Sequence, residues 1–382
     1  MKKVHFFDHN ATTPLCPAAR EAWLRACESH WLNPSSPYRA AAAVKVRFDE
    51  LREELGCYLG VEPGRLVFNS GATEGNNGVL RHWAAVLGED ARIGISPVEH
   101  PSVLEPAKQL FGGRIDWLPV GEDGQVCLDR LDLSGLSAVT MQAANNETGR
   151  LQPWERLSGL CRARGIPFHC DASQWIGKMA PGGLGDCDYI TGCAHKFCGP
   201  RGVGFLVVPE SLQLSGGLLG GAQQAGRRAG TEDLAGAAAM LAALQEVERK
   251  RPDCGPAGKS AFRGHLQACL PEAGPVGGPD GALWNTLALV LPEFSSARWI
   301  RALEKRGFLV SAGSACSTGH AGPSHVLAAM GVSPEAASRV IRISSGWETS
   351  VEDWTALAEA TCEAYQELRQ DNAGNRTRVI SI

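Results

Sequence analysis

The sequence predicts an α/β protein: a mainly parallel sheet wrapped by helices, followed by a smaller α+β domain. Three observations carry this. Short apolar runs alternate with stretches of helical periodicity, the pattern of repeated strand–helix crossovers. The residues richest in chemistry fall at the ends of those runs, where parallel sheets bind ligands. A helical stretch rich in Ala and Leu then stops at Arg251-Pro252-Asp253-Cys254-Gly255-Pro256, where Pro and Gly mark a domain boundary.

Taken in order, Leu51, Leu55, Tyr58 and Leu59 recur at helical spacing. Arg65 to Phe68, Ala91 to Ile95, Ala138 to Gln142, Pro167 to Cys170, Tyr189 to Thr191 and Gly204 to Val208 are short apolar runs that predict strands. Asp233 to Lys250 predicts the helix before the boundary. Beyond it, Leu283 to Leu291 predicts a strand, and Ser350-Val351-Glu352-Asp353 predicts the N-cap of the last helix. Asp371 to Ile382 mixes Asn, Gly and Arg without period and is expected to be a loose tail.

Composition removes several function classes. A formal net charge of −4 with scattered arginines provides no basic field for nucleic acid. No apolar run approaches the length that spans a bilayer, so no membrane partner is expected. The 13 cysteines are odd in number and no charged-then-apolar segment precedes Phe7; reduced thiols and a cytoplasmic location are the expectation. Cys187, Cys193 and Cys198 lack the short CxxC spacing of metal sites, and no metal is expected.

Four motifs carry chemistry. Thr191-Gly192-Cys193-Ala194-His195-Lys196 places a lysine where an apolar strand meets a glycine-containing turn, a position suited to a Schiff-base residue. Phe168-His169-Cys170-Asp171-Ala172-Ser173-Gln174 ends another apolar run in a carboxylate. A pyridoxal phosphate enzyme needs that pair: the lysine to hold the aldehyde, the carboxylate to keep the pyridine nitrogen protonated. Phe68-Asn69-Ser70-Gly71-Ala72-Thr73-Glu74-Gly75 has the composition of a phosphate cradle at a helix N-terminus. Ser311-Ala312-Gly313-Ser314-Ala315-Cys316-Ser317-Thr318-Gly319 surrounds one cysteine with small residues, as an exposed thiol-bearing loop would.

With Phe7-Asp8-His9-Asn10-Ala11-Thr12-Thr13-Pro14, Asn33-Pro34-Ser35-Ser36, Glu99-His100, Asn145-Asn146-Glu147-Thr148-Gly149, Arg228-Ala229-Gly230-Thr231 and Arg342-Ile343-Ser344, these motifs run in one order along nearly the whole chain. In that order the chain resembles cysteine desulfurases of the NifS/IscS type, class V aminotransferase relatives among the fold-type I pyridoxal phosphate enzymes. The resemblance implies a large cofactor domain over 14–251, with 1–13 and 252–382 forming the small domain. It implies a homodimer that converts L-cysteine to L-alanine and leaves sulfane sulfur on Cys316 as a persulfide. The acceptor would be an iron-sulfur scaffold or another sulfurtransferase.

Residue by residue, the resemblance implies Lys196 as cofactor lysine and base, with His100 stacking on the ring and sharing proton transfers. Asp171 would pair with the ring nitrogen and Gln174 with the ring oxygen. Ala72, Thr73, His195, the residue at 193 and, from a second copy, Thr231 would hold the phosphate. Asn33, Asn146 and Arg342 would receive the substrate, Arg342 by a planar two-point contact. Cys193 stands where the family usually has serine, and a thiol is the weaker donor. Gly221-Ala222-Gln223-Gln224, Ala229, Tyr38 and Ala41-Ala42 also depart from the family pattern. No docking segment is recognised in Asn372 to Ile382. Alternatives on the same scaffold are a selenocysteine lyase or cystine C–S lyase, a class V aminotransferase needing a keto acid, and a sulfur carrier with a relic cofactor site.

Overall fold

The computed structural model describes residues 4–278, 280–313 and 324–379, the last helix beyond 372 by its backbone alone. An extended arm comes first, with β1 (His5–Phe6), and two helices follow, α1 (Pro17–Ser29) and α2 (Arg39–Leu59). Val44, Phe48, Leu51, Leu55 and Leu59 form one buried face of α2. The helix stops at Gly60, whose φ of 69° suits glycine.

The chain then alternates β2 (Leu66–Asn69), α3 (Ala72–Val86), β3 (Arg92–Ile95), α4 (Pro101–Phe111) and β4 (Ile115–Trp117). It continues with β5 (Leu136–Thr140), α5 (Trp154–Arg162), β6 (Phe168–Asp171), β7 (Tyr189–Cys193), β8 (Gly204–Val207) and α6 (Leu234–Lys250). These strands form one seven-stranded sheet in the order β2-β8-β7-β6-β5-β3-β4. Strands β7, β6, β5, β3 and β4 are mutually parallel, and β8 runs against both its neighbours. Since β2 and β7 both oppose β8, the carboxyl ends of six strands share one edge. Every residue of β6, β7 and β8 is buried, which explains why their sequences show no alternation of apolar and exposed polar positions. Asp233 caps α6, its carboxylate accepting from the Gly236 amide at 2.8 Å.

Past the turn at Arg251–Asp253 lie α7 (Ala257–Cys269), β9 (Gly274–Pro275), β10 (Thr286–Val290), α8 (Ser296–Lys305), β11 (Phe308–Leu309) and β12 (Ser311–Ala312). Short α9 (His325–Ala329) and α10 (Pro334–Ala337) precede β13 (Val340–Ser344) and α11 (Val351–Val379). Strands β12-β13-β10-β9 make a second, antiparallel sheet. Phe262, Trp299, Ile341, Ile343, Trp354 and Leu357 fill its core. The arm joins this unit: β1 pairs in parallel with β11, and Phe7, 1% exposed, lies in the same core.

Two expectations are corrected. Residues 371–379 are not a loose tail but continue α11. The helix starts on a reciprocal cap between Ser350 and Asp353, and Glu367, Leu368, Arg369 and Gln370 are strong helix formers that carry it onward. Nor are all thiols reduced: a disulfide joins Cys269 to Cys362. Helices α7 and α11 pack side by side and bring the two Cα atoms to 6.1 Å, within bridging range, a proximity that sequence spacing does not reveal. Among the described residues, no helix is long and apolar enough to cross a membrane.

Candidate active site

A cavity of about 520 Å³ opens at the carboxyl edge of the large sheet, roofed by the N-terminal arm and β13. The turn after β2 supplies its first wall. Gly71 has a φ of 138°, open only to glycine, and Asn69 Oδ1 accepts from its amide at 2.9 Å. No side chain caps α3, so its first-turn amides are available to an anion at the cavity wall formed by Gly71, Ala72 and Thr73. A Cβ on Gly75 would stand 2.7 Å from Thr191 Cγ2; the missing side chain lets α3 press onto β7. Cys193, at the end of β7, faces this cradle beside Ala72 and Ser173, and burial pushes its thiol pKa up. It therefore meets an incoming anion as a neutral thiol.

Asp171 ends β6 at the cavity floor. Its Oδ2 accepts from Asn76 Nδ2 at 2.8 Å, and its Oδ1 from the Ser173 amide at 3.0 Å and hydroxyl at 2.6 Å. A buried chain of polar groups stands behind it: Asn76 Oδ1 accepts from Thr191 Oγ1 at 2.6 Å, Thr191 Oγ1 lies 3.3 Å from His169 Nε2, and Thr140 Oγ1 lies 2.8 Å from His169 Nδ1. With Thr191 donating to Asn76, its oxygen is left to accept from His169, which carries its proton on Nε2. Glu99 is fully buried behind the same site; burial, reinforced by Asp171, raises its pKa well above the usual carboxylate range.

His100 caps α4. Its Nδ1 accepts from the Ser102 amide at 3.1 Å and lies 2.8 Å from Ser102 Oγ, which itself accepts from Asn76 Nδ2. Burial lowers its pKa, so the ring is neutral and carries its proton on Nε2. Lys196, in the turn after β7, donates from Nζ to the carbonyls of Asn10 at 2.6 Å and Ala11 at 2.8 Å. Gln174 donates to the same Asn10 carbonyl at 3.0 Å. His195 lies 3.3 Å from Thr12 Oγ1, and burial next to Lys196 and Arg201 lowers its pKa to about 4. Arg342, 1% exposed on β13, donates to the Asn146 carbonyl at 3.1 Å and pairs with Asp8 at 2.6 Å, while its buried Nε has no partner.

Lys196, His100, Asp171, Gln174, Ala72, Thr73, Cys193, His195, Asn146 and Arg342 thus line one cavity. Two others do not reach it: Asn33 is exposed and caps the Ser35 amide, and Thr231 is exposed in the loop before α6. Cys316 lies outside the described residues. Sequence reasoning gave no role to Asn10, Asn76, Ser102, Asp8 or Lys178. Asn76 could have been found, as a polar residue on the buried face of α3 shared with Val79, Leu80 and Trp83. The residues present fit pyridoxal phosphate. The uncapped α3 terminus, Thr73 and His195 suit the phosphate, Lys196 the aldehyde, Asp171 the pyridine nitrogen, and the unpartnered Arg342 Nε a carboxylate.

The family model described as aminotransferase class-V matches residues 5–357. A cysteine desulfurase of Nostoc sp. (strain PCC 7120 / SAG 25.82 / UTEX 2576) is 33% identical over 96% of this chain and 94% of its own length. Cysteine desulfurase IscS of Dictyoglomus turgidum is 31% identical over 97% and 96%. Among solved structures, a NifS-like protein has a TM-score of 0.86 at 28% identity, covering 95% of this chain and 99% of that one. A structure described as SspA in complex with cysteine has a TM-score of 0.76 at 27% identity, covering 89% and 98%.

Proposed function

The chain belongs to the aminotransferase class-V family, and from that premise we propose that it is a pyridoxal phosphate-dependent cysteine desulfurase, converting L-cysteine to L-alanine and retaining the sulfur as a persulfide on Cys316. The observation that carries the reading is the convergence of Lys196, Asp171 and Arg342 on one cavity. Its relatives named cysteine desulfurase, and the solved structure described as a complex with cysteine, support the choice of substrate.

When bound, the cofactor supplies an aldehyde that captures the substrate amine and a ring that takes up electrons from Cα. The chain supplies the rest. The cradle of Ala72, Thr73 and His195 holds the phosphate, with Cys193 contributing only a neutral thiol. Asp171, fixed by Asn76 and Ser173, holds the ring nitrogen's proton. Arg342 and Asn146 orient the substrate carboxylate. Lys196 Nζ would take the Cα proton, and His100, on the wall of the same cavity with its proton on Nε2, would share in the proton transfers. Cys316 sulfur bonds to the substrate sulfur as the C–S bond breaks, and the carbon left behind is protonated to alanine, so one thiol and one cysteine give one persulfide and one alanine.

The further parts of the reading are a cytoplasmic homodimer, in which Thr231 of each copy serves the phosphate of the other, and transfer of the persulfide to an iron-sulfur scaffold or another sulfurtransferase. The division into a large domain over 14–251 and a small domain of 1–13 with 252–382 is supported by the core around Phe7, Phe262, Trp299 and Ile341, whose buried residues all come from the arm or from beyond residue 252.

The test is turnover of L-cysteine with dithiothreitol, measuring alanine and sulfide for wild type and Cys316→Ala, with mass spectrometry before reductant is added. Equal alanine and sulfide, an adduct of about 32 Da on Cys316, and near-total loss in the variant are expected. Pyruvate and ammonia, or an unaffected variant, would point instead to a C–S lyase.

A further inference from the structure

One buried amine has no task in this reaction. Lys178 follows the Asp171–Gln174 turn and is 1% exposed. After burial, the strongest influences on it are the cations Lys196 and Arg342. Burial, reinforced by those cations, pulls its pKa well below the ordinary lysine range. The histidines near it, His9 on the arm and His195 after β7, are themselves lowered to about 4 by burial. A lysine in such a place is costly to keep, so its hydrogen bonds are informative.

Lys178 Nζ donates to Asn10 Oδ1 at 2.8 Å and to Gln174 Oε1. Both acceptors belong to amides, whose two ends are nearly equal in shape and opposite in hydrogen bonding. An ammonium or amine donor on Gln174 Oε1 forces the N–H₂ end to the other side, where it reaches the Asn10 carbonyl at 3.0 Å beside Lys196 Nζ. Asn10 is fixed the same way: its Oδ1 also accepts from Asn285 at 3.3 Å, leaving Nδ2 to donate to Thr286 Oγ1 at 2.9 Å and the Asn146 carbonyl at 3.2 Å. Lys178 thus ties the arm to the turn after β6, at the Asn10 residue whose carbonyl also receives Lys196.

We propose that Lys178 is a positioning residue that sets the amide orientation of Gln174 and Asn10, so that Gln174 presents N–H rather than carbonyl to the cavity beside Lys196. The inference rests on the pyridoxal phosphate reading of that cavity. An N–H there favours an anionic oxygen on the bound cofactor and disfavours protonation next to Lys196; a carbonyl does the reverse.

The experiment is a pH titration of the visible absorbance of the cofactor-loaded protein, for wild type, Lys178→Met and the shorter, neutral donor Lys178→Gln, alongside thermal melts of the cofactor-free forms. Lys178→Met is expected to keep the band and to move its midpoint upward by about one pH unit, the size of a lost hydrogen bond to an anion, and Lys178→Gln, which still offers an N–H, to move it less. An equal shift in both would mean that the lost charge alone acts on Lys196, and overturns the proposal. An unchanged midpoint in both, whatever happens to the melts, overturns the proposal. Failure of both variants to fold also overturns it, since the residue is then structural. Absence of any band in wild type, or its persistence in Lys196→Ala, would instead sink the cofactor reading itself.

Discussion

Arg342 on β13 and Asp8 on the N-terminal arm form an ion pair, Nη2 to Oδ1 at 2.6 Å, in the wall of the candidate active site. The guanidinium also donates from Nη1 to the Asn146 carbonyl and keeps one buried N–H, on Nε, without a partner. A carboxylate entering the cavity would satisfy that N–H and share the cation with Asp8. Arg342→Lys keeps the charge and loses the planar fork. It is expected to raise KM for L-cysteine by roughly ten- to a hundredfold, the worth of one charge-assisted hydrogen bond, with a smaller fall in kcat. Steady-state kinetics checks this; an unchanged KM would remove Arg342 from substrate binding. Asp8→Asn is expected to destabilise the fold by about 3 kcal/mol, because it leaves the buried Arg342 cation unpaired, as read by urea denaturation.

His169 gives the protein an acid-sensitive centre. It is fully buried between Thr140 and Thr191, and burial lowers its pKa to about 4. The unfolded chain binds a proton at this residue near pH 6.5, whereas the native one resists it. Its contribution to stability is therefore complete above about pH 6.5 and is lost as pH falls towards 4. By pH 5 the loss from this one residue is about 2 kcal/mol, and His9 and His195 act in the same direction. Thermal melts from pH 7 to 5 should show a falling Tm, with a shallower slope for His169→Gln. Equal slopes would show that the ring is protonated in the native state.

What the sequence made legible follows from physics that is local. Strands β6, β7 and β8 are buried on both faces and read as apolar runs, and the residues at their carboxyl ends, Asp171 and Lys196, inherit a predictable place. Two-residue strands such as β1 and β11 have no period to detect, and the reversed direction of β8 leaves no mark on its composition. Asp8 and Lys178 gain their roles through contacts with β13 and with the arm, far away in the chain, so neither stands out in its own neighbourhood. Asn33 and Thr231 are exposed and lie outside the cavity, so the motif order that singled them out has no counterpart in their contacts here.

The bridge between Cys269 and Cys362 closes 93 residues between α7 and α11. Tying a loop of that length restricts the unfolded chain by roughly 4 to 5 kcal/mol on the chain-entropy account. Dithiothreitol is therefore expected to lower the wild-type Tm and to leave that of Cys362→Ser, already at the lower value, unchanged. If both respond alike, the bridge contributes nothing and the reductant acts elsewhere.

Asn76 offers the sharpest separation of site from scaffold. Its Nδ2 donates to Asp171 Oδ2 at 2.8 Å and to Ser102 Oγ at 2.8 Å, so one amide steadies both the carboxylate at the cavity floor and the serine that orients His100. Asn76→Leu keeps the branched shape of the side chain and removes both of these bonds together with the one from Thr191 Oγ1. Asp171 then loses a charge-assisted donor and is held less firmly in place to pair with the ring nitrogen. The expected result is pyridoxal phosphate affinity weakened by about ten- to a hundredfold, or 1.5 to 3 kcal/mol, measured by equilibrium dialysis. Asn77→Ala, one residue along on the outer face, removes only a bond to the Thr73 carbonyl and a long one to Ser102. That control should bind as wild type does; equal weakening in both would mean that α3 had merely loosened and that the Asn76–Asp171 bond has no special part in holding the cofactor.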